Sequence, residues 1–164
     1  MTNEAATGSA EAEEICWLEP VLTEQIPLGA AMALNVKSLD HDGIILAAPL
    51  APNVNDKGTA FGGALVSMMI LAGWSLPRLL LRRHAIAAEL VIGRCQVRFL
   101  KPVDGPFQAH CRWPAATDIE TFVNQLRHGG RARLELAPEI IIDGEVAARL
   151  EARYAALTKI ATGD

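Results

Sequence analysis

At 164 residues, with 51% hydrophobic and 21% charged residues, the chain is sized for one domain with a continuous core, which sets multi-domain readings aside. A net charge of -4 and a pI near 5.6 exclude the clustered basic excess with which a nucleic-acid surface replaces phosphate counterions. Cys16, Cys95 and Cys111 are odd in number and widely spaced, which fits reduced thiols rather than a disulfide framework or a zinc site.

The opening MTNEAATGSAEAEE has neither the basic start nor the apolar run of a signal peptide, so a cytoplasmic location is expected. Its small, polar and acidic residues offer little to bury, which predicts a flexible tail over 1–14 and a domain starting near Ile15. Trp17 to Gln25 suits a short helix bounded by Pro20 and Pro27. Three Asp-Gly dipeptides then recur between strand-like runs, at Asp42-Gly43, Asp104-Gly105 and Asp143-Gly144. Asp-Gly supplies the positive φ of tight hairpins, so three hairpins are predicted.

Between the first and second of these lies FGGALVSMMILAGWSLPRLLLRR, apolar on every side through Gly73. Such a helix is buried all round or sits in lipid. The uncharged stretch from Thr59 to Pro77 is long enough to span a bilayer, but the apolar faces of three hairpins need a cover, which favours a soluble core helix without a membrane span. Pro77 is expected to break or kink it.

Around the second turn, Cys95, Val97 and Phe99 alternate with Gln96 and Arg98, so Cys95, like Cys111 in the return strand, is expected in the core. Thr117-Asp118-Ile119-Glu120 has capping-box spacing and Gly129-Gly130 supplies a stop, predicting a helix over about 118–128. Ala132, Leu134 and Leu136 alternate with Arg131, Arg133 and Glu135, and beyond the last turn Val146, Ala148, Leu150, Ala152 and Tyr154 alternate with polar residues. Those are half-buried strands, and Pro138 marks a bulge or an edge in the fifth. A curved antiparallel sheet of about six strands around one long apolar helix is an α+β hotdog architecture.

The segment Asn53-Val54-Asn55-Asp56-Lys57-Gly58-Thr59-Ala60-Phe61-Gly62-Gly63-Ala64-Leu65 brings polar side chains and flexible backbone to the start of the buried helix. The first amides of a helix lack internal partners and carry the positive end of its dipole. Gly62 and Gly63 let a ligand approach those amides, which makes them candidates to stabilise the oxyanion of a thioester carbonyl; close helix-to-sheet packing is the competing explanation. Asp56 is far in sequence from any other carboxylate, the nearest being Asp42 and Glu89. It suits a general base or a nucleophile, with Asn55 orienting the carbonyl or the water, although an Asp here also serves as a turn or helix cap. Asn53, Lys57, Gly58 and Thr59 are candidate substrate contacts. Phe61, Leu65, Met68 and Met69 are candidate pocket walls. His41, His84, His110 and His128 show no metal-ligand spacing, Ser67 has no nucleophile elbow, and no metal or cofactor is expected.

The run APNVNDKGTAFGGAL resembles the signature of the YiiD C-terminal-domain thioesterase family, a branch of the hotdog superfamily. VRFLKPVDGPFQA and GRARLELAPEIIIDGEVAARLEARYAAL are similar to later hotdog strands. The resemblance covers roughly 15–158 and leaves 159–164 as a C-terminal tail. PaaI-like relatives carry Asn, then Gly-Thr-x-His-Gly-Gly and a later acid; Asn55, Gly58, Thr59, Gly62 and Gly63 match. Phe61 replaces the His and Ile70 the acid, which leaves Asp56 as the preferred catalytic carboxylate. His128-Gly129-Gly130 spells the same tripeptide at a helix end, where it reads as a C-cap.

The resemblance implies hydrolysis of acyl-CoA or acyl-carrier-protein thioesters by a homodimer or a dimer of dimers with its site between subunits. Lys57, Arg82, Arg83, Arg131 and Arg133 are candidate anchors for coenzyme A phosphates. A non-catalytic acyl-CoA or lipid binder is the alternative, since fold alone does not carry chemistry.

Overall fold

A computed structural model describes residues 3–158; the expected tail at 159–164 lies outside them. In chain order the elements are α1 (Asn3–Pro20), a π turn (Val21–Gln25), α2 (Pro27–Ala31), β1 (Asn35–Leu39), β2 (Gly43–Ala48), a 3-10 turn (Ala51–Asn53) and α3 (Gly62–Arg83). β3 (Ala88–Phe99), β4 (Phe107–Arg112), α4 (Ala116–Gly129), β5 (Arg131–Leu136), β6 (Glu139–Ile142) and β7 (Glu145–Thr158) follow. The strands form one antiparallel sheet in the order β1-β2-β4-β6-β7-β3, with β5 also paired to β7. The sheet curves around α3, which packs on β2, β3, β4, β6 and β7. This is the hotdog fold.

α3 is the one helix among the described residues long and apolar enough to cross a membrane, yet most of it is buried inside the protein. It is the core helix. It also continues through Pro77 as one helix to Arg83, so the break expected there as one of two outcomes does not occur. Leu76, Leu79 and Leu81 flank that proline and are almost wholly inaccessible. Burying each is worth about 1.5–3 kcal/mol, which outweighs the roughly 3 kcal/mol cost of an internal proline.

The first and third hairpins form as expected. At the third, Asp143 (φ 51°) and Gly144 (φ 75°) both take positive φ, the conformation of a tight hairpin turn. The second is corrected: β3 pairs only with β7, while β4 lies between β2 and β6. Asp104-Gly105 therefore belongs to a crossover, and neither residue has the positive φ of the third turn. Pro138 splits the fifth run into β5 and β6, both on the side of β7 opposite β3. The Pro138 carbonyl accepts from Leu150 N–H at 2.9 Å across the break, so the bulge is real and the strands number seven.

Three further expectations change. The segment expected to be a tail is helical from Asn3, because its Ala and Glu content favours helix and Leu18 is fully buried. Thr117 lies inside α4, whose N-cap is Ala115, and makes no capping box; the helix stops at Gly130 as predicted, with His128 at its C-terminal end. Cys95 is exposed whereas Cys111 is buried, because β3 is the outermost strand and its far edge meets no other strand among the described residues.

Candidate active site

Residues 53–63 form a short protruding turn that feeds directly into α3. Its base is an antiparallel bridge between Val54 and Ala60. Ala60 N–H donates to the Val103 carbonyl at 2.7 Å and Phe61 N–H to the Asn53 carbonyl at 2.7 Å. Asn55 is the staple of the turn. Its Oδ1 accepts from the Lys57 and Thr59 amides at 2.8 and 3.2 Å, and its Nδ2 donates to Thr59 Oγ1 at 2.9 Å. Gly58 takes φ 82° at the return of the chain. Asn55, Gly58 and Thr59 thus shape the turn, and Asp56 and Lys57 stand at its tip. Asp56 pairs with Lys57 at 2.9 Å and its side chain is 80% exposed.

α3 begins without a side-chain cap, since Phe61 at the N-cap has no polar group to offer. The Ala64 and Leu65 amides turn back to the Phe61 carbonyl, while the Gly62 and Gly63 amides have no partner among the described residues. Two free N–H groups therefore stand at the positive end of a 22-residue helix. Both glycines are covered by aromatic rings rather than by sheet backbone. A Cβ at Gly62 would lie 3.3 Å from the Phe99 ring, and one at Gly63 only 2.4 Å from the Phe61 ring.

Beside these amides lies a cavity of about 370 Å3. Its walls are Leu28, Ala31 and Met32 from α2 and its end, Pro52, Asn53 and Val54 from the 3-10 turn, and Phe61, Gly63, Ala64 and Ser67 from α3. No carboxylate is among them. Asn53 is 4% exposed and ties two walls together, donating from Nδ2 to the Met32 carbonyl at 3.0 Å and the Pro49 carbonyl at 2.8 Å.

The structure therefore brings Asn53, Phe61 and Gly63 to the cavity with Gly62 beside it, and carries Asn55, Asp56, Lys57, Gly58 and Thr59 on the adjoining turn outside its walls. Leu65, Met68 and Met69 are buried in the core and do not line the cavity, since the inner face of α3 faces the sheet. Arg82 and Arg83 lie about 30 Å along α3 from Gly62, where Arg82 pairs with Glu13 and Arg83 forms a two-pronged pair with Glu14 at 2.7 Å. Arg131 and Arg133 line a groove between β5 and the polar face of α4. Asp40, His41 and Asp42 converge in the first hairpin turn, where Asp40 Oδ1 accepts from the Asp42 and Gly43 amides and serves the turn itself.

The α2 wall was not legible in advance. Pro27 at the first helical position was the available signal, but PLGAA is too short to show a helical period.

A family model described as "Putative thioesterase (yiiD_Cterm)" matches residues 16–158. A crystal structure of a protein of unknown function from Chlorobaculum tepidum superposes with a TM-score of 0.84 at 30% identity, covering 87% of this chain and 93% of that one. A structure from Shewanella oneidensis named as a putative thioesterase gives a TM-score of 0.78 at 24% identity, covering 89% and 99%. That second likeness speaks for the fold alone. With the family model spanning nearly the whole described chain, the protein belongs to the YiiD C-terminal-domain family of thioesterase-like hotdog proteins.

Proposed function

We propose that this protein hydrolyses acyl thioesters of coenzyme A or acyl carrier protein, in the cytoplasm, with the reacting carbonyl held at the start of α3. The observation that carries this reading is the pair of free amides at Gly62 and Gly63 beside an apolar cavity. Preorganised N–H groups aimed at a developing oxyanion are worth about 100-fold to 1,000-fold in rate each. The cavity would take the acyl chain, and Asn53 would fix the wall through which it passes.

In this reading Asp56 supplies the carboxylate. As a base it takes a proton from water while the water oxygen bonds to the carbonyl carbon. The C–S bond then breaks, and the acid and the protonated thiol leave. As a nucleophile it would first form a mixed anhydride, which water opens to the same products. Asn55 positions Asp56 by holding the turn. The assay is turnover across a panel of acyl-CoA and acyl-carrier substrates, and no turnover on any of them overturns the reading. A binder without chemistry is the second reading, favoured by the exposure of Asp56 and its pairing with Lys57; saturable acyl-CoA binding without turnover would select it.

A homodimer, or a dimer of dimers, is part of the proposal. The outer edge of β3 pairs with no other strand among the described residues, and Val91, Ile92, Phe99 and Leu100 are exposed on or beside it. A bare apolar edge of this kind is a template for strand pairing. Light scattering at micromolar concentration should return at least twice the 17.6 kDa chain mass. A monomer with turnover intact would refute it.

For the phosphates of coenzyme A, Lys57, Arg131 and Arg133 are the proposed anchors. Arg131 and Arg133 have no ion pair among the described residues, whereas Arg82 and Arg83 would have to give up theirs and Lys57 its exposed pair with Asp56. Raised salt should increase KM, because exposed charges are screened beyond about 8 Å at physiological ionic strength. A KM indifferent to salt and to Arg131→Gln and Arg133→Gln counts against these anchors.

A further inference from the structure

We propose that the groove between α4 and β5 receives an extended, acidic peptide segment of another protein, added as a strand to the open edge of β5 and antiparallel to it. The inference goes beyond the hydrolase reading and does not depend on it.

The groove has a volume of about 860 Å3, and its lining includes residues 131–135 of β5 in unbroken succession. Ala132 and Leu134 are among them although they are only 2% and 3% exposed, their side chains being part of the core. The strand therefore meets the groove with its main chain, edge on, rather than with one face. That edge is open. β5 pairs with β7 alone, and among the described residues no backbone hydrogen bond from α4 or from a loop closes the other side. Every second residue of a strand turns its N–H and C=O to such an edge, which makes it a template for one more strand.

The facing wall is a single stripe of α4. Asp118, Thr121, Gln125 and His128 stand three or four residues apart and all line the groove, so they share one face of the helix. From Asp118 to His128 that stripe runs about 15 Å, which matches the roughly 13 Å from Arg131 to Arg133 and on to Glu135 along the strand. The Asp118 and Gln125 side chains have no partner among the described residues. An edge strand for main-chain hydrogen bonds, flanked by a helix whose side chains select what lies beside it, is the arrangement used in peptide recognition by strand addition.

Charge selects the occupant. Arg131 and Arg133 are exposed and have no ion pair among the described residues, and as alternate residues they point to the same side of the strand. Glu135, the next on that side, is already paired with Arg153. α4 turns back into β5 at Gly130, so His128 stands beside Arg131, and Asp118 lies toward the far end of the strand. The groove is cationic where β5 begins and carries its unpaired carboxylate at the other end. A segment antiparallel to β5 brings its C-terminal half to Arg131 and Arg133, where carboxylates at alternate positions meet both guanidinium groups. A second copy of this chain is a poorer occupant, because the edge of its β5 is flanked by its own α4 and two helices would meet in one groove.

The test is fluorescence anisotropy on the full chain with a fluorescein-labelled heptapeptide of alternating valine and glutamate, blocked at both ends. It should bind saturably. Exchanging its glutamates for lysines should weaken binding about tenfold or more, since exposed pairs are lost and like charges face each other. N-methylation of its amides keeps the charge but removes the main-chain donors, and should abolish binding. Arg131→Gln combined with Arg133→Gln, shown to be folded by its melting curve, should weaken the glutamate peptide about tenfold. Hydrogen exchange should slow at β5 amides when the peptide is bound. No saturable binding in the millimolar range overturns the proposal, as does equal binding of the lysine or the N-methylated peptide. If a second copy fills the groove instead, the peptide does not bind and the double Arg variant has a lower mass in light scattering, which also overturns it. Because the same arginines are proposed anchors for coenzyme A phosphates, bound peptide should raise KM for an acyl-CoA substrate. Peptide that binds and leaves KM unchanged supports the groove and counts against those anchors.

Discussion

Replacing Asp56 by Asn should lower turnover of an acyl thioester by about 100-fold to 10,000-fold, the range typical of losing a general base, while leaving the melting curve where it was. The two halves of this expectation rest on different observations. Asp56 is the carboxylate on the turn that leads into α3, and none lines the cavity itself. Its structural ties are slight: an 80% exposed side chain and one exposed pair to Lys57. An exposed pair of this kind contributes about 0–1 kcal/mol, and Asn keeps the size and most of the hydrogen bonding of Asp. The turn is stapled by Asn55 rather than by Asp56, so the substitution separates chemistry from folding. A variant that melts like the parent and keeps more than about a tenth of the turnover would lie outside the range for a lost base and would remove Asp56 from the mechanism. Asn55→Ala differs in kind. It frees the turn and should lower the melting temperature along with turnover.

Gly73→Ala should be among the most destabilising single-methyl changes in this chain. Gly73 is the point where α3 meets the ring of Tyr154 on β7. A Cβ there would stand 2.4 Å from the Tyr154 oxygen and 3.0 Å from the nearest ring carbons. Tyr154 is 0% exposed and its hydroxyl donates to the Ile70 carbonyl at 2.7 Å. Burial pushes that hydroxyl well above the ordinary tyrosine pKa, so it remains a neutral donor at any physiological pH. The ring has nowhere to retreat. Overpacking costs about 1–3 kcal/mol, and stranding the buried hydroxyl adds about 1–3 kcal/mol. For a chain of this size that corresponds to a melting temperature lower by roughly 5–20 °C. Tyr154→Phe removes the atom that the new methyl strikes first, so Gly73→Ala should cost less in that background. Additive losses, or a melting temperature within about 2 °C of the parent, would show that the ring does not depend on Gly73.

What the sequence determined by itself was whatever short range controls. Alternation placed Ala132, Leu134 and Leu136 inward, with Arg131, Arg133 and Glu135 outward, because side chains on a strand must alternate. Asp143-Gly144 specified its own hairpin through positive φ at two adjacent residues. The apolar circumference of α3 announced a core helix, and the run from Asn53 to Leu65 supplied the candidate site residues. Tertiary structure decided everything that depended on which distant segments meet. Asp104-Gly105 has the same local chemistry as Asp143-Gly144, yet the flanking strands pair with β7, β2 and β6 rather than with each other. Cys95 follows the alternating pattern of a core strand but is exposed because β3 became the edge. Leu65 and Met68 begin the very helix that borders the cavity, and only the direction of that helix over the sheet sends them into the core and Ala64 and Ser67 into the wall. The cavity itself joins residues 28–32 to residues 52–67, a neighbourhood created when β1 and β2 fold back on each other. Local conformational preference acts over a few residues, whereas burial acts on whatever surfaces the completed sheet brings together.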